Sequence, residues 1–221
     1  MERRLINTSD GSKTLYLPEL DEQYHSVNGA KTESEFVFLK NGYDYQIANP
    51  VIIFEVGFGT GLNAFLTGIS ANKAKRKTIY YSLEKYPVSK KELKGLQYEE
   101  LFEGKNSSLF NQIHEAEWHK KVNISEYFTI HKIKDDLLTF QFDKVSEIDL
   151  IYFDAFAPDK QPKLWTYEIF KRIYDVCRQQ AVFVTYSAKG EVRRQLSKAG
   201  FVMERLPGPP GKRQMLRGIK K

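Results

Sequence analysis

The sequence predicts an α/β fold: a mostly parallel sheet with helices on both faces. Three observations carry this. From Asn49 onward, short apolar β-branched runs alternate with amphipathic helical stretches. A glycine-rich turn joins the first of these runs, "PVIIFEVGF", to the first helix. The last two extended pieces flank a "PGPPG" turn with no helix between them, which predicts an antiparallel pair at one edge.

The elements follow in order. To about Gln46 the chain mixes extended pieces, "SKTLYLPEL" and "FVFLKNGYDY", with turns at Asp10–Gly11, Asn28–Gly29 and Asn41–Gly42. This part is expected to be an extension, residues 1–46, packed on a core of residues 47–221. After "PVIIFEVGF", the stretch "LNAFLTGISANK" repeats apolar residues at Leu62, Phe65, Leu66 and Ile69, a helical period. "KTIYYSLEK" reads as the second strand, with "SKKELKGLQYEELF" and "LFNQIHEAEWHK" as helices after it. "EYFTIHKIKDD" and "EIDLIYFDAFAP" read as the third and fourth strands. "LWTYEIFKRIYDVCRQ" is helical, with Leu164, Ile169, Ile173 and Val176 on one face. "AVFVTYSA" is the fifth strand, and "GEVRRQLSKAG" is a helix stopped by Gly200.

Composition narrows the function. The chain has 221 residues, 41% hydrophobic and 28% charged, as expected of a water-soluble domain. No apolar run reaches the roughly 20 residues of a membrane span. The N-terminus is basic without an apolar core, unlike a secretory signal. Cys177 is the only cysteine, so no internal disulfide can form, and a reducing cytoplasmic setting is expected. One cysteine and four histidines make no convincing zinc site. The net charge of +6 favours anionic partners, nucleic acid above all.

Ligands of such sheets sit beyond the carboxyl ends of the strands, and four signals fall there. The first is the loop Gly57, Gly59, Gly61. A dinucleotide fingerprint needs a third glycine at the position of Leu62, so the spacing departs from a nicotinamide or flavin site. The pattern E-x-G-x-G-x-G instead resembles the first motif of Rossmann-like, seven-stranded S-adenosylmethionine-dependent methyltransferases. The second is Glu84, whose carboxylate at a strand end suits two ribose hydroxyls. The third is "KDDLL", in which Asp136, or Asp135 in its place, meets an adenine amino group or caps a helix. The fourth is Asp154, after an apolar strand and before a loop stiffened by Pro158 and Pro162.

Six segments, "GAKTESEFVFL", "EVGFGTGLN", "SLEKYP", "DAFAPDKQPKLW", "TYSAKGEVRRQL" and "PGKRQML", resemble the methyltransferase domain of the MnmC family and its stand-alone MnmD form, in family order over residues 15–218. The resemblance implies S-adenosylmethionine as cofactor and tRNA as partner. It implies N-methylation of 5-aminomethyl-2-thiouridine at the wobble position. The cofactor residues it implies are Glu55, Gly57, Phe58, Gly59, Thr60, Gly61, Asn63, Glu84, Lys85, Asp136 and Asp154. Bifunctional relatives continue into a flavin-dependent domain that makes the amine. This chain is expected to carry methylation alone and to rely on a separate enzyme for its substrate. Two residues depart from the family pattern: Gln214 in "KRQML" where "KREML" is usual, and His25 where relatives often have Phe.

An alkylammonium, with a pKa near 10 like that of lysine, must lose a proton before it can attack. Asp154 is therefore assigned positioning of the amine first and proton acceptance second. Phe156, Pro158, Trp165, Tyr186 and Ser187 are expected around the base, with Trp165 either stacking on it or lying in the core. Arg193, Arg194, Lys212 and Arg213 are expected on the phosphates. The rivals are methylation of another amine, and a non-catalytic RNA- or nucleotide-binding module of the same fold.

Overall fold

The computed structural model describes residues 2–98, 107–145 and 147–221. Among these, two sheets form. β1 (Arg4–Asn7), β2 (Lys13–Leu17) and β3 (Glu22–Gln23) make a small antiparallel sheet. The chain then forms α1 (Ala30–Ser34), which runs on without a break into a π-helical stretch, Glu35–Tyr43. The large sheet is built from β4 (Val51–Val56), β5 (Thr78–Glu84), β6 (Lys121–Asn123), β7 (Phe128–Lys134), β8 (Ile148–Phe153), β9 (Cys177–Thr185), β10 (Val202–Pro207) and β11 (Gln214–Ile219). Its order is β10-β11-β9-β8-β4-β5-β7-β6. β7, β5, β4, β8 and β9 are parallel, and β11 enters antiparallel between β9 and β10. The short edge strand β6 adds to the seven expected.

The helices are α2 (Leu62–Ala74), α3 (Lys90–Leu96), α4 (Ser107–Glu115), α5 (Tyr167–Val176) and α6 (Gly190–Ala199). Two cores lie on opposite faces of the sheet. One packs Phe65 of α2 and Phe110 of α4 with Phe38, Tyr80 and Tyr152; the other packs Phe170 of α5 and Leu196 of α6 with Phe54, Phe153 and Phe183. β8 shows why its run "IDLIYF" lacks polar alternation: every residue is buried, Tyr152 toward one core and Phe153 toward the other.

Two local readings change. "FVFLKNGYDY" is helix, not strand: Val37, Phe38, Leu39, Gly42 and Tyr43 are buried against the sheet. Gly42 permits this approach, since a Cβ there would lie 3.0 Å from Val184 and 3.2 Å from Tyr152. The helix read through Gln179 ends at Val176 because Cys177–Gln179 already belong to β9. Helix α3 begins at a Ser89–Glu92 capping box as its polar start suggests. The end of that expected helix, 99–102, lies outside the described residues.

All five parallel strands end on one edge. That edge therefore carries Gly57, Glu84, Asp135, Asp154 and Tyr186, each next to or at a strand end. The order of connection reverses at β4/β8, where a parallel sheet opens a crevice.

Candidate active site

A cavity of about 710 Å³ occupies this crevice. Gly57, Phe58, Gly59, Glu84, Lys85, Asp136 and Asp154 line it, as do Phe156, Tyr186 and Lys212 from the expected substrate group. Glu55, Thr60, Gly61 and Asn63 lie behind it, outside its lining.

The glycine loop has a physical requirement at each position. Gly57, Gly59 and Gly61 have φ of +89°, +51° and +74°, all in the left-handed region. A Cβ at Gly57 would lie 2.6 Å from the Asp154 carbonyl oxygen, so the loop and the Asp154 strand end meet backbone to backbone. A Cβ at Gly59 would lie 2.8 Å from the Tyr24 ring. Gly61 faces away from the cavity and abuts His114, whose Nε2 lies 3.1 Å from the Thr60 carbonyl oxygen. Lys132 Nζ in turn donates to the His114 carbonyl at 2.7 Å. Burial pushes His114 down to about 3 and Lys132 down to about 8.

Glu84 Oε2 accepts from Gly59 N at 2.9 Å, and Oε1 accepts from Tyr86 N at 2.7 Å. The ribose candidate is thus fixed to the loop that it serves. Asp136 Oδ2 pairs with Lys85 Nζ at 2.7 Å, while Oδ1 accepts from Leu138 N at 3.0 Å. Asp135 Oδ1 accepts from Asp136 N at 2.7 Å. Both aspartates line the cavity. A cradle of positive-φ glycines beside a strand-end carboxylate fits a cofactor with a ribose. The residues suited to hold one are Gly57, Gly59, Glu84 and Asp136.

Asp154 sits half-buried on the cavity wall. Burial, reinforced by the nearby Glu33 carboxylate, raises it to about 7; the Asn63 hydrogen bond and Lys212 oppose the shift. Behind it, Glu55 is fully buried and raised by burial to about 8. Ser82 Oγ donates to Glu55 Oε2. Glu55 Oε1, Asn63 Oδ1 and the Tyr80 hydroxyl are buried with no hydrogen-bond partner among the described residues.

Of the two alternatives for Trp165, the structure takes the core one. Its side chain is 4% exposed, packs at 4.8 Å on Phe153, and donates Nε1 to the Phe156 carbonyl at 2.9 Å. It anchors the loop after β8 from the core side and presents no face for stacking. Aromatic surface on the cavity wall comes instead from the half-buried Phe156, which meets Tyr24 edge-on at 5.2 Å, and from the exposed Tyr86. Lys212 lies on the cavity wall, paired with the buried carboxylate of Glu33, rather than on an open phosphate-binding face. Pro158 and the buried Ser187 are not in the cavity lining; Arg193, Arg194 and Arg213 are exposed.

Sequence reasoning missed Tyr24 and Glu33 as site residues. Both sit in "QYHSVNGAKTESEF", close to His25, which burial pushes down to about 4. The signal was a glutamate on the buried face of an amphipathic turn, where Glu is rarely found unpaired.

Residues 97–221 match a family model described as S-adenosyl-L-methionine-dependent methyltransferase. Among full-length relatives, the tRNA 5-methylaminomethyl-2-thiouridine biosynthesis bifunctional protein MnmC of Paraburkholderia phymatum is 30% identical, over 93% of this chain and 33% of its own length. The protein of the same name from Campylobacter hominis is 32% identical, over 92% of this chain and 31% of its own. The chain thus spans about a third of the length of these relatives. The crystal structure of MNMC2 from Aquifex aeolicus superposes with a TM-score of 0.80, at 22% identity, over 100% of this chain and 70% of that one, a likeness of fold. The family match covers more than half of the residues, and the chain belongs to the S-adenosyl-L-methionine-dependent methyltransferases.

Proposed function

We propose that this chain uses S-adenosylmethionine to methylate the primary amine of a 5-aminomethyl-(2-thio)uridine at the tRNA wobble position. The observation that carries the reading is Asp154: a carboxylate raised to about 7, on the wall of the cavity that the glycine loop and Glu84 also line. The names of the MnmC relatives support the substrate class.

When bound, the cofactor supplies an electrophilic methyl carried on a sulfonium. The chain's residues supply the rest. Asp154, charged above about pH 7, accepts a proton from the substrate ammonium: an N–H bond breaks, an O–H bond forms, and the electron pair stays on nitrogen. An ordinary carboxylate near 4 would hold the ammonium without deprotonating it; the raised value narrows that gap. Gly57 and Asp154, in backbone contact, fix the two reactants' sites relative to each other, which is where most of the acceleration is expected. Phe156 and Tyr24 offer aromatic surface for a base turned out of its stack.

The exposed Arg193 and Arg194 on α6 are assigned to tRNA phosphates. The test is incubation of the protein with S-adenosylmethionine and tRNA bearing the aminomethyl group, followed by nucleoside mass spectrometry. A gain of one methyl on that nucleoside is expected. Methylation of small amines but not of the tRNA would favour the rival substrate class.

A further inference from the structure

We propose that Glu33 is a second carboxylate of the acceptor site, which with Asp154 seats the substrate ammonium against the Tyr186 ring at the place that Lys212 Nζ marks. The inference rests on the amine-methyltransferase reading above and deepens it. Lys212 carries a primary alkylammonium, the same group as the acceptor. Its Nζ pairs with Glu33 Oε1 and lies 4.0 Å from the Tyr186 ring centroid. A carboxylate and an aromatic face are the two partners that desolvated ammonium ions favour.

The seat is rigidly built. Glu33 is 7% exposed, and its other oxygen accepts from Ser26 N at 2.9 Å. The Tyr186 hydroxyl donates to the carbonyl of Ala155, the residue after Asp154, at 2.9 Å. Glu33, Asp154, Tyr186 and Lys212 all line the one cavity. The substrate ammonium displaces Lys212 from Glu33 and so comes within reach of Asp154.

The groups facing Asp154 are Glu55 on β4, Tyr80 on β5, Glu33 on α1, Tyr186 after β9 and Lys212 before β11. His25 faces the Glu33–Lys212 pair and is kept neutral by burial. Of these, Glu33 and Lys212 act on Asp154 in opposite directions, upward and downward.

The test compares Glu33→Gln, Glu33→Asp and Lys212→Met with wild type in three readouts. These are KM for aminomethylated tRNA, the pH profile of kcat/KM, and calorimetric affinity for aminomethylated against unmodified tRNA. For Glu33→Gln we expect KM to rise at least about tenfold, the preference for aminomethylated tRNA to collapse, and the acid limb to move to lower pH. Glu33→Asp should recover part of each, and Lys212→Met should move the acid limb to higher pH. If wild type methylates the tRNA while Glu33→Gln keeps its preference and pH profile, this inference falls and the function stands. If Glu33→Gln does not fold, an unmoved acid limb in Lys212→Met overturns it instead. A wild type that methylates no aminomethylated tRNA overturns the function and this seat with it.

Discussion

Asn63 Nδ2 donates to Asp154 Oδ2 at 2.8 Å, tying the first turn of α2 to the end of β8. The glycine loop leads directly into α2 and meets the Asp154 backbone at Gly57, so the same contact braces the loop and the end of β8 against each other. Asn63 favours the charged form of Asp154 against the effect of burial.

Asp154→Asn keeps size and removes charge. Turnover is expected to fall by roughly two to four orders of magnitude, the scale of a positioned acid–base group, with S-adenosylmethionine affinity retained. In wild type, kcat/KM should rise with pH through about 7. Asn63→Ala should move that limb to higher pH. Turnover by Asp154→Asn close to wild type would remove the assigned role.

Gly59→Val places a β-branched side chain at φ +51° and against Tyr24. Calorimetric binding of S-adenosylmethionine should be lost, while circular dichroism shows a folded protein. Unchanged affinity would mean that this loop does not bear on the cofactor.

Glu55→Gln tests a buried acid. The folded-state value of about 8 lies above the unfolded one of 4.5, so its contribution to stability is full below about pH 4.5 and is lost as pH rises through about 8. The glutamine variant mimics the neutral acid. Its melting temperature should exceed wild type's at pH 9, by roughly 2–4 °C for each kcal/mol gained, with the gap closing by pH 4. A gap independent of pH would contradict the titration.

Trp165→Ala should destabilise by roughly 3–5 kcal/mol, the cost of deleting a large buried aromatic side chain. Trp165→Phe should retain most of the stability and nearly all of the turnover, measured by thermal melts and single-turnover methylation. A folded Trp165→Phe with turnover lowered a hundredfold would restore a direct role on the base.

The contrast between Trp165 and Phe156 shows what the sequence could convey. The strand ends were legible because "PVIIFEV", "KTIYYSL" and "EIDLIYF" are largely apolar runs of strand length, and the residue after each had to sit at the crevice. Which aromatic in "DAFAPDKQPKLW" turns inward was not legible, since it depends on how the loop folds back over β8. Glu33 stayed hidden for a related reason. The stretch around it carries turn residues and apolar alternation, and its helical nature comes from docking on the sheet.

Replacing Arg193 and Arg194 with Ala should weaken tRNA binding and flatten its salt dependence. Each lost phosphate contact should reduce the log–log slope by roughly 0.7 to 0.9, with S-adenosylmethionine affinity unchanged. A wild-type slope in the double variant would make this a solvated helix face and send the search for phosphate contacts elsewhere.

The placement of β11 bears on how the protein is born. This strand is the last of the large sheet to be synthesised, yet it lies between β9 and β10, both of which precede it. Its antiparallel entry is also what carries Lys212 to the crevice. A nascent chain stopped at residue 207 holds the glycine loop, Glu84 and Asp154 but leaves β9 and β10 without the strand that joins them. During translation the sheet stays open on that side until residue 219 has cleared the ribosome. The exposed flank of β9 is then the edge that a chaperone must shield or another nascent chain would pair with.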